Sequence, residues 1–315
     1  MKEIIRDNMN NDIVIVAKNR SKRPMDKVAI QIEEETTLEY DKECPFCRGN
    51  ESYTTNERFK IEDEVGWLVK SVDNKFPIVD ELPGEVYGLH EVMIDTYRHN
   101  GSFYNMSEDE FKNMFSMYKD RYITLMSDEN IEYVSIFKNF LRKSGASLIH
   151  PHSQIISLSI LPPDIENEIE ISNRYYRDND VCLYEEIIKN EIENENRVIH
   201  NGSYFLVIVP YATKYSGEVR IIFKEKIGFE EINEKHITEL SKIFQKLFKK
   251  LYNMSGYNAF NLCIHTHPLK VESKKNFNVH MHIIPRKYSF GGFELGTGIY
   301  VSSINPEELA KKLKF

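Results

Sequence analysis

The stretch Ser144-Gly-Ala-Ser-Leu-Ile-His-Pro-His-Ser-Gln154 separates two apolar runs, residues 131–137 and 155–161. Both runs have the length and the apolar content of buried β-strands. The small residues at the start of the stretch predict a loop, and its end predicts entry into the second strand. The sequence therefore indicates a strand, a tight loop and a histidine-bearing strand at the centre of the fold.

Three polar side chains of this stretch share one face of the predicted strand. Alternate residues of a strand point to the same side, which brings together His150, His152 and Gln154. One imidazole can bind a metal, the other can act as a nucleophile or base, and the amide can hydrogen-bond a phosphate or an oxyanion. Two hydrogen-bonded histidines on a strand are the simpler alternative. The metal ligands and the repeat described below favour a functional site.

Length and composition exclude several classes of protein. The 315 residues suffice for one large domain or two medium ones. A net charge of −8 argues against a nucleic-acid-binding surface. No apolar run reaches the roughly 18 residues of a membrane helix, and the N-terminus lacks the apolar segment of a signal peptide. We therefore expect a cytoplasmic protein that binds neither nucleic acid nor membranes.

The segment Cys44-Pro-Phe-Cys47 predicts a metal-binding knuckle. Two thiolates two residues apart can hold one tetrahedral zinc ion. A thioredoxin-like redox pair is the alternative, but that pair precedes a helix, and here a Gly-Asn turn follows. Structural zinc needs two more ligands, for which His99 and His150 are the candidates in this half of the chain, with His90 in reserve.

The two halves of the chain have the same order of parts. The segment His150–Gln154 corresponds to Asn278–His282 at an offset of 128 residues, and the knuckle corresponds to Cys182-x-x-Glu185. Each half contains strands, a helix, a strand and a histidine-bearing strand. The sequence thus predicts an α+β fold built from a duplicated unit, residues 1–172 and 173–315, with two antiparallel sheets joined edge to edge.

The repeat also tests the metal prediction. The counterparts of the four predicted ligands are Cys182, Glu185, Lys226 and Asn278. Three of these four are changed, and a protonated lysine cannot bind a metal. We therefore predict one structural zinc site of this type, in the first half.

A second group of metal-binding residue types has three histidines in the second half, which Glu168 of the first half could join. The group consists of Glu168, His265, His280 and His282. Three imidazoles and a carboxylate suit zinc or iron. A hydrogen-bonded histidine cluster that supports the active site is the alternative.

Near the N-terminus, Arg20 and Arg23 belong to the basic segment 18–24. Their forked donors can neutralise a diphosphate. A solvated loop is the equal alternative.

Several motifs together resemble the galactose-1-phosphate uridylyltransferase family, which belongs to the histidine-triad superfamily. The stretch 144–154 is similar to the active-site motif of that family. Further blocks that match are Arg20–Pro24, Glu43–Glu51, Asp73–Pro77, Phe137–Asn139 and Gly292–Gly298. The resemblance covers nearly the whole chain and extends to the ADP-glucose phosphorylase-like relatives. It implies two tandem histidine-triad-like repeats, each an antiparallel sheet with helices packed against it.

The resemblance also implies a reaction and the residues that perform it. His152 would attack the α-phosphorus of a nucleotide sugar, expel a sugar 1-phosphate and pass the nucleotide to a second sugar 1-phosphate. Gln154 would hold a phosphate oxygen, and because an amide cannot protonate a leaving group, it favours transfer over hydrolysis. The other implied contacts are Ser147 and Asn139 with phosphate oxygens, Arg20 and Arg23 with the diphosphate, and Asn74 near the nucleoside. A homodimer is implied as well.

Two residues depart from the pattern of the uridylyltransferases. Lys75 stands where some members have an acidic residue near the ribose, and Ser153 stands where many have glycine. Both features resemble the relatives that use ADP-glucose, or phosphate as acceptor. UDP-glucose with galactose 1-phosphate is the leading substrate pair. A nucleotide-sugar phosphorylase, a nucleotide-sugar hydrolase and a non-catalytic zinc-stabilised nucleotide-binding protein are the other hypotheses.

Overall fold

The computed structural model describes residues 3–17, 37–82, 87–254, 256–272, 275–287 and 289–315. Arg20 and Arg23 lie outside these residues, so the predicted diphosphate clamp stays a prediction. No helix within the described ranges is long and apolar enough to cross a membrane.

A ten-stranded sheet in which every neighbouring pair is antiparallel forms the centre of the molecule. Its strands are β3 (Glu57–Glu62), β4 (Trp67–Asp73), β5 (His90–Ile94), β6 (Tyr133–Phe140), β7 (His152–Leu158), β8 (Val198–Asn201), β9 (Phe205–Ile208), β10 (Val219–Phe223), β11 (Phe260–His265) and β12 (His280–Pro285). Their order across the sheet is β3-β4-β5-β7-β6-β11-β12-β10-β9-β8.

This order repeats the internal duplication of the sequence. Outward from the centre, one half runs β6, β7, β5, β4, β3, and the other runs β11, β12, β10, β9, β8. The two halves meet where β6 pairs with β11, with Asn139 opposite Asn261. The predicted edge-to-edge joint is therefore a continuous hydrogen-bonded ladder, and the α+β fold class is confirmed.

Helices pack on both faces of the sheet. They are α1 (Glu108–Met126), α2 (Pro163–Asn179), α3 (Leu183–Asn194), α4 (Glu234–Tyr252), α5 (Gly292–Thr297) and α6 (Pro306–Leu313). Of these, α1 and α4 lie on one face, and α2 and α3 lie on the other. The corresponding helices α1 and α4 pack against each other, and Phe115 meets Phe244 with ring centroids 4.8 Å apart. Strand residues that point to these helices, such as Ile155 and Met281, are fully buried in the same apolar core. The alternate residues of the central strands point away from α1 and α4, and the histidines of β7 and β12 are among them.

Helix α1 begins as its sequence predicts. The Ser107 hydroxyl accepts from the Glu110 backbone N–H, and the Glu110 carboxylate accepts from the Ser107 N–H, which forms a capping box. The apolar stripe of this helix is core, because Phe111, Phe115 and Tyr118 are fully buried.

A smaller sheet contains the N-terminal segment. It combines β1 (Glu3–Arg6), β2 (Ile13–Val16) and β13 (Ile299–Ser302), with β2 and β13 parallel. Just after β1, the Asp7 carboxylate forms a buried ion pair with Arg220 on β10, which attaches this hairpin to the large sheet. The boundary predicted between residues 172 and 173 falls within α2, and the division into two domains stays a prediction.

Candidate active site and metal centres

His152 is the first residue of β7 and has one ring nitrogen already engaged. Its Nδ1 lies 2.8 Å from the carbonyl oxygen of His150, to which it donates. The proton is therefore on Nδ1, and Nε2 keeps its lone pair. Burial, with a further contribution from the Lys138 ammonium, lowers the pKa of His152. The ring is thus neutral at pH 7, which is the form that can act as a nucleophile.

The His152 ring opens on a cavity of about 530 Å³. The ring of Phe46, from the cysteine knuckle, packs on His152 with centroids 5.5 Å apart. Besides these two rings, the lining includes Tyr53, Asp73, Asn74, Lys75, Phe76, Ser147 and Gln154. A lining that combines aromatic rings with amide and hydroxyl groups suits a ligand with a base, a sugar and phosphates.

The predicted phosphate ligands occupy different positions around His152. Ser147 and Gln154 line the cavity. Asn139 lies on the neighbouring strand β6, and because Phe137 pairs with Gln154, the register places Asn139 level with His152. The Oδ1 of Asn139 accepts from Asn261 at 2.7 Å. Because its oxygen is already occupied by Asn261, Asn139 has its NH2 group as the end that can donate to a phosphate oxygen.

A buried ion pair lies behind the nucleophile, on the α1 side of the sheet. The Lys138 ammonium is 2.7 Å from the Asp95 carboxylate and donates to the backbone oxygen of His152 at 2.8 Å. Asp95 also accepts from the hydroxyls of Tyr118 and Ser153 at 2.9 and 2.8 Å. These three donors neutralise and solvate a carboxylate that is fully buried. The hydroxyl of Ser153 therefore has a structural role beneath the active site.

Sequence reasoning missed this ion pair. The strand prediction ended at Phe137, but β6 continues to Phe140, so Lys138 is a strand residue with no exposed surface. A lysine within an apolar strand was the only available signal. Its partner Asp95, which follows β5, could not be identified without the strand register.

Breaking this pair should destabilise the fold. We expect Lys138→Met to lower the free energy of unfolding by about 3–5 kcal/mol, because it leaves the Asp95 charge buried and uncompensated. Urea unfolding of the variant measures the loss. In the matched double variant Lys138→Met/Asp95→Asn no charge remains, and we expect much of the stability to return. A loss below about 1 kcal/mol in the single variant would contradict this account.

The four predicted zinc ligands come together. Cys44, Cys47, His99 and His150 are all buried, and their ligand atoms lie within 4.8 Å of one another. The Nδ1 of His150 is 3.7 Å from both sulfurs, and the Nδ1 of His99 is 3.4 Å from the Cys47 sulfur. Around a tetrahedral zinc ion, a sulfur and a nitrogen ligand are about 3.5 Å apart. The group therefore fits a metal ion such as zinc, and it attaches the knuckle to the strand that bears His152.

Outer hydrogen bonds prepare these ligands for a metal. The Nε2 of His150 donates to the Thr96 carbonyl oxygen at 2.9 Å, which directs Nδ1 towards the sulfurs. Burial lowers the pKa of His150 to about 3, so the ring is neutral. Burial also raises the pKa of Cys44 to about 12. The thiolate is therefore favoured only with a cation beside it, and metal binding must release a proton. His90, held in reserve as a ligand, contacts Gln154 instead.

The corresponding place in the second half contains an ion pair. Lys226, the counterpart of His99, lies 2.8 Å from the carboxylate of Glu185, the counterpart of Cys47. Asn278 donates to the Phe223 carbonyl oxygen at 2.7 Å, just as His150 donates to Thr96. The backbone arrangement of the duplicated unit is thus kept, while an ammonium and a carboxylate occupy the position of the ligand set.

The second predicted group also comes together. The ligand atoms of Glu168, His265, His280 and His282 lie within 4.8 Å of one another. His280 donates through Nδ1 to the Asn278 carbonyl oxygen at 2.9 Å, and His282 through Nδ1 to the Glu218 carboxylate at 2.7 Å. The buried Nε2 of His282 has no hydrogen-bond partner among the described residues, and the Nε2 of His280 lies 3.4 Å from the Glu168 carboxylate. Because Nδ1 carries the proton in both rings, these Nε2 atoms present lone pairs to the carboxylate, which fits a cation better than a self-sufficient hydrogen-bonded cluster.

Electrostatics of this second group favour an ionised carboxylate. Burial alone would raise the pKa of Glu168, but His265 and His280 outweigh it and hold that pKa well below its ordinary value. Burial, with the nearby His265 and Arg220, holds the pKa of His282 well below the ordinary value of an imidazole. The group thus presents an anion and a neutral imidazole, which are the forms that bind metals.

Comparison with known proteins agrees with this arrangement. Residues 86–314 match the profile of a protein family described as a domain of unknown function (DUF4921). The chain belongs to this family. The DUF4921 segment contains β5 to α6, and therefore His152, the histidines of both candidate metal sites and nearly all of the second half.

Curated relatives extend the similarity to the full chain. This DUF4921 protein is 26% identical to the ADP-glucose phosphorylase of Arabidopsis thaliana, over 99% of the chain and 92% of that protein. It is also 26% identical to the galactose-1-phosphate uridylyltransferase of Thermotoga maritima, over 100% of the chain and 98% of that protein. The crystal structure of the Arabidopsis enzyme with bound ADP-glucose superposes with a TM-score of 0.87 at 26% identity, covering 100% of this chain and 98% of that one. The predicted resemblance to the galactose-1-phosphate uridylyltransferase family, including its ADP-glucose phosphorylase relatives, is confirmed.

Proposed function

We propose that this protein is a nucleotidyltransferase that works through a covalent nucleotidyl-His152 intermediate. The observation that carries the proposal is the His152 ring: Nδ1 is held by the His150 carbonyl, and neutral Nε2 is left for the cavity. In the first step, Nε2 bonds to the α-phosphorus of a nucleotide sugar, and the bond from that phosphorus to the bridging oxygen breaks. Sugar 1-phosphate leaves with the electron pair. In the second step, an acceptor oxygen takes the nucleotide and restores the free imidazole.

Gln154 supports transfer rather than hydrolysis. Its side chain lines the cavity two residues after the nucleophile, where an amide N–H can bind an α-phosphate oxygen as charge develops on it. The leaving sugar 1-phosphate is already an anion and needs no proton from the enzyme. An amide also cannot activate water, so the intermediate persists until a sugar 1-phosphate or phosphate attacks it.

We propose UMP transfer between UDP-glucose and galactose 1-phosphate as the leading reaction, in line with the uridylyltransferase relatives. A second candidate is the reaction of ADP-glucose with phosphate as acceptor. Lys75 on the cavity wall and Ser153 beside the nucleophile favour this candidate, as does the TM-score of 0.87 with the Arabidopsis phosphorylase. The two candidates share one intermediate and differ in the base and in the acceptor.

The mass of the intact chain separates the two donors. The protein is incubated with UDP-glucose or with ADP-glucose and denatured at neutral or alkaline pH, because a phosphohistidine bond is labile to acid. A mass gain of one UMP unit supports the uridylyl reaction, and a gain of one AMP unit supports the adenylyl reaction. If neither donor gives an adduct, while both bind, the proposal is wrong and a non-catalytic nucleotide-binding protein becomes the better account.

The metal at Cys44, Cys47, His99 and His150 is proposed to be a structural zinc ion. Two thiolates and two imidazoles in a closed, buried set are typical of structural zinc. Its contribution is to fix the knuckle, and with it the Phe46 ring, against the strand that begins at His152.

The group around Glu168 is proposed to bind a second metal, zinc or iron. Removing its carboxylate by Glu168→Gln should cost one metal equivalent per chain without changing the first site, as measured by elemental analysis of the purified protein. An unchanged metal content would leave Glu168 in a hydrogen-bonded histidine cluster. The homodimer and the cytoplasmic location implied by the sequence stay predictions.

A further inference from the structure

The side-chain amide of Gln154 has two chemically opposite ends. Its NH2 group can donate to an anionic phosphate oxygen, whereas its carbonyl oxygen would repel that oxygen. Free rotation about the terminal bond exchanges the two ends. The contribution of Gln154 to phosphate binding therefore depends on what holds the amide in one orientation.

His90 on β5 contacts the amide from the side away from the nucleophile. Its Nε2 lies 2.8 Å from Gln154 Oε1. Its other nitrogen, Nδ1, lies 3.3 Å from the backbone nitrogen of Ile78. A backbone N–H can only donate, so Nδ1 must be the acceptor and the proton of the neutral ring must be on Nε2. The His90 ring is 6% exposed, and burial lowers its pKa, which keeps it neutral.

Asn74 supplies a second donor of fixed polarity. Its Oδ1 accepts from the backbone N–H of Phe76 at 2.8 Å, so its Nδ2 is the donor end. That Nδ2 lies 3.4 Å from Gln154 Oε1 and 3.0 Å from His90 Nε2. With the His90 proton on Nε2, both of these nitrogens are donors, so the contact between them is not a hydrogen bond and the acceptor they share is the Gln154 oxygen. The backbone N–H groups of Ile78 and Phe76 thus fix the polarity of both side chains.

We propose that His90 and Asn74 are positioning residues that hold Gln154 with its carbonyl oxygen inward and its NH2 group towards the α-phosphate in the cavity. This inference rests on the proposed function for the identity of the phosphate, but the orientation itself follows from the contacts alone. No described residue accepts a hydrogen bond from Gln154 Nε2, which leaves this group for a ligand. The sequence analysis treated Gln154 and Asn74 as separate substrate contacts. In the structure, the pairing of β5 with β7 places His90 in contact with both of them.

The first test reads the orientation directly and needs no activity. Nitrogen NMR of the protein with labelled histidine distinguishes the two neutral tautomers of His90, assigned by its loss in His90→Gln. We expect the proton on Nε2. A ring protonated on Nδ1 would overturn the inference, because Gln154 would then have to present its carbonyl oxygen to the cavity.

The second test is a double-mutant cycle on the rate of adduct formation at His152. In His90→Phe the Gln154 amide loses its main hydrogen-bond donor. We expect the rate at a saturating concentration of nucleotide sugar to fall roughly 10-fold or more, by analogy with the loss of a hydrogen-bond donor from an oxyanion hole. The nucleotide-sugar concentration that gives half the maximal rate should change by less than about twofold. In a Gln154→Ala background, the same His90→Phe change should cost less than about twofold, because His90 acts only through Gln154.

A conservative variant guards against simple misfolding. In His90→Gln, the new amide can accept from Ile78 and donate to Gln154, so we expect it to recover most of the rate lost in His90→Phe. Equal losses from His90→Phe with and without Gln154 would overturn the inference. If the wild-type protein formed no adduct with any nucleotide sugar, the proposed function would fail, and the tautomer result would still decide the orientation of Gln154.

Discussion

His152→Gly is expected to abolish formation of the nucleotidyl adduct and to lower turnover by about 10⁴-fold or more, the scale of loss when a covalent nucleophile is removed. The physical reason is that no other described side chain on the cavity wall offers a neutral, buried nitrogen with its lone pair directed inward. The variant should still fold. The backbone contacts that hold this position, including the bond from Lys138 to the residue 152 carbonyl oxygen, do not need the imidazole.

The controls for this variant address fold and specificity. His200 is another strand histidine, but it lies on β8 at the far edge of the sheet. His200→Gly should therefore form the adduct at the wild-type rate. Nucleotide affinity and thermal stability, measured by calorimetry, should stay close to wild type in His152→Gly. If His152→Gly still gained the mass of one nucleotide unit, another residue would be the nucleophile.

The sequence was most informative where local spacing fixes geometry. Two thiolates in Cys44-x-x-Cys47 and two histidines that alternate on one strand belong to short segments whose shape depends little on the rest of the chain. The repeat added long-range information. It pairs His99, a predicted zinc ligand far from the knuckle in sequence, with Lys226 in the second half, and the structure places these two residues at equivalent positions. The fold class followed from the same duplication.

Contacts that depend on strand register were out of reach. The bond between His90 and Gln154 requires β5 beside β7, and the pair of Lys138 with Asp95 requires both residues on the α1 side of that ladder. A shift of one residue would send each of these side chains to the opposite face. The pairing of β6 with β11 is a further example, because the local sequence does not determine which two strands pair where the halves meet.

Cys44→Ser is expected to cost one metal equivalent per chain and to lower the free energy of unfolding by on the order of 5 kcal/mol, part of the 10–16 kcal/mol that zinc binding contributes in small zinc domains. Without the ion, the knuckle loses its link through His150 to the β7 strand and keeps the ring contacts of Phe46 and its apolar packing against β4 and β5. Cys182→Ser is the matched control, because this cysteine is also buried and occupies the position equivalent to Cys44 in the second half. There the ion pair of Lys226 and Glu185 replaces the metal ligands. Elemental analysis should therefore give the wild-type metal content for Cys182→Ser, and the same content in Cys44→Ser would disprove the assignment of the ligands.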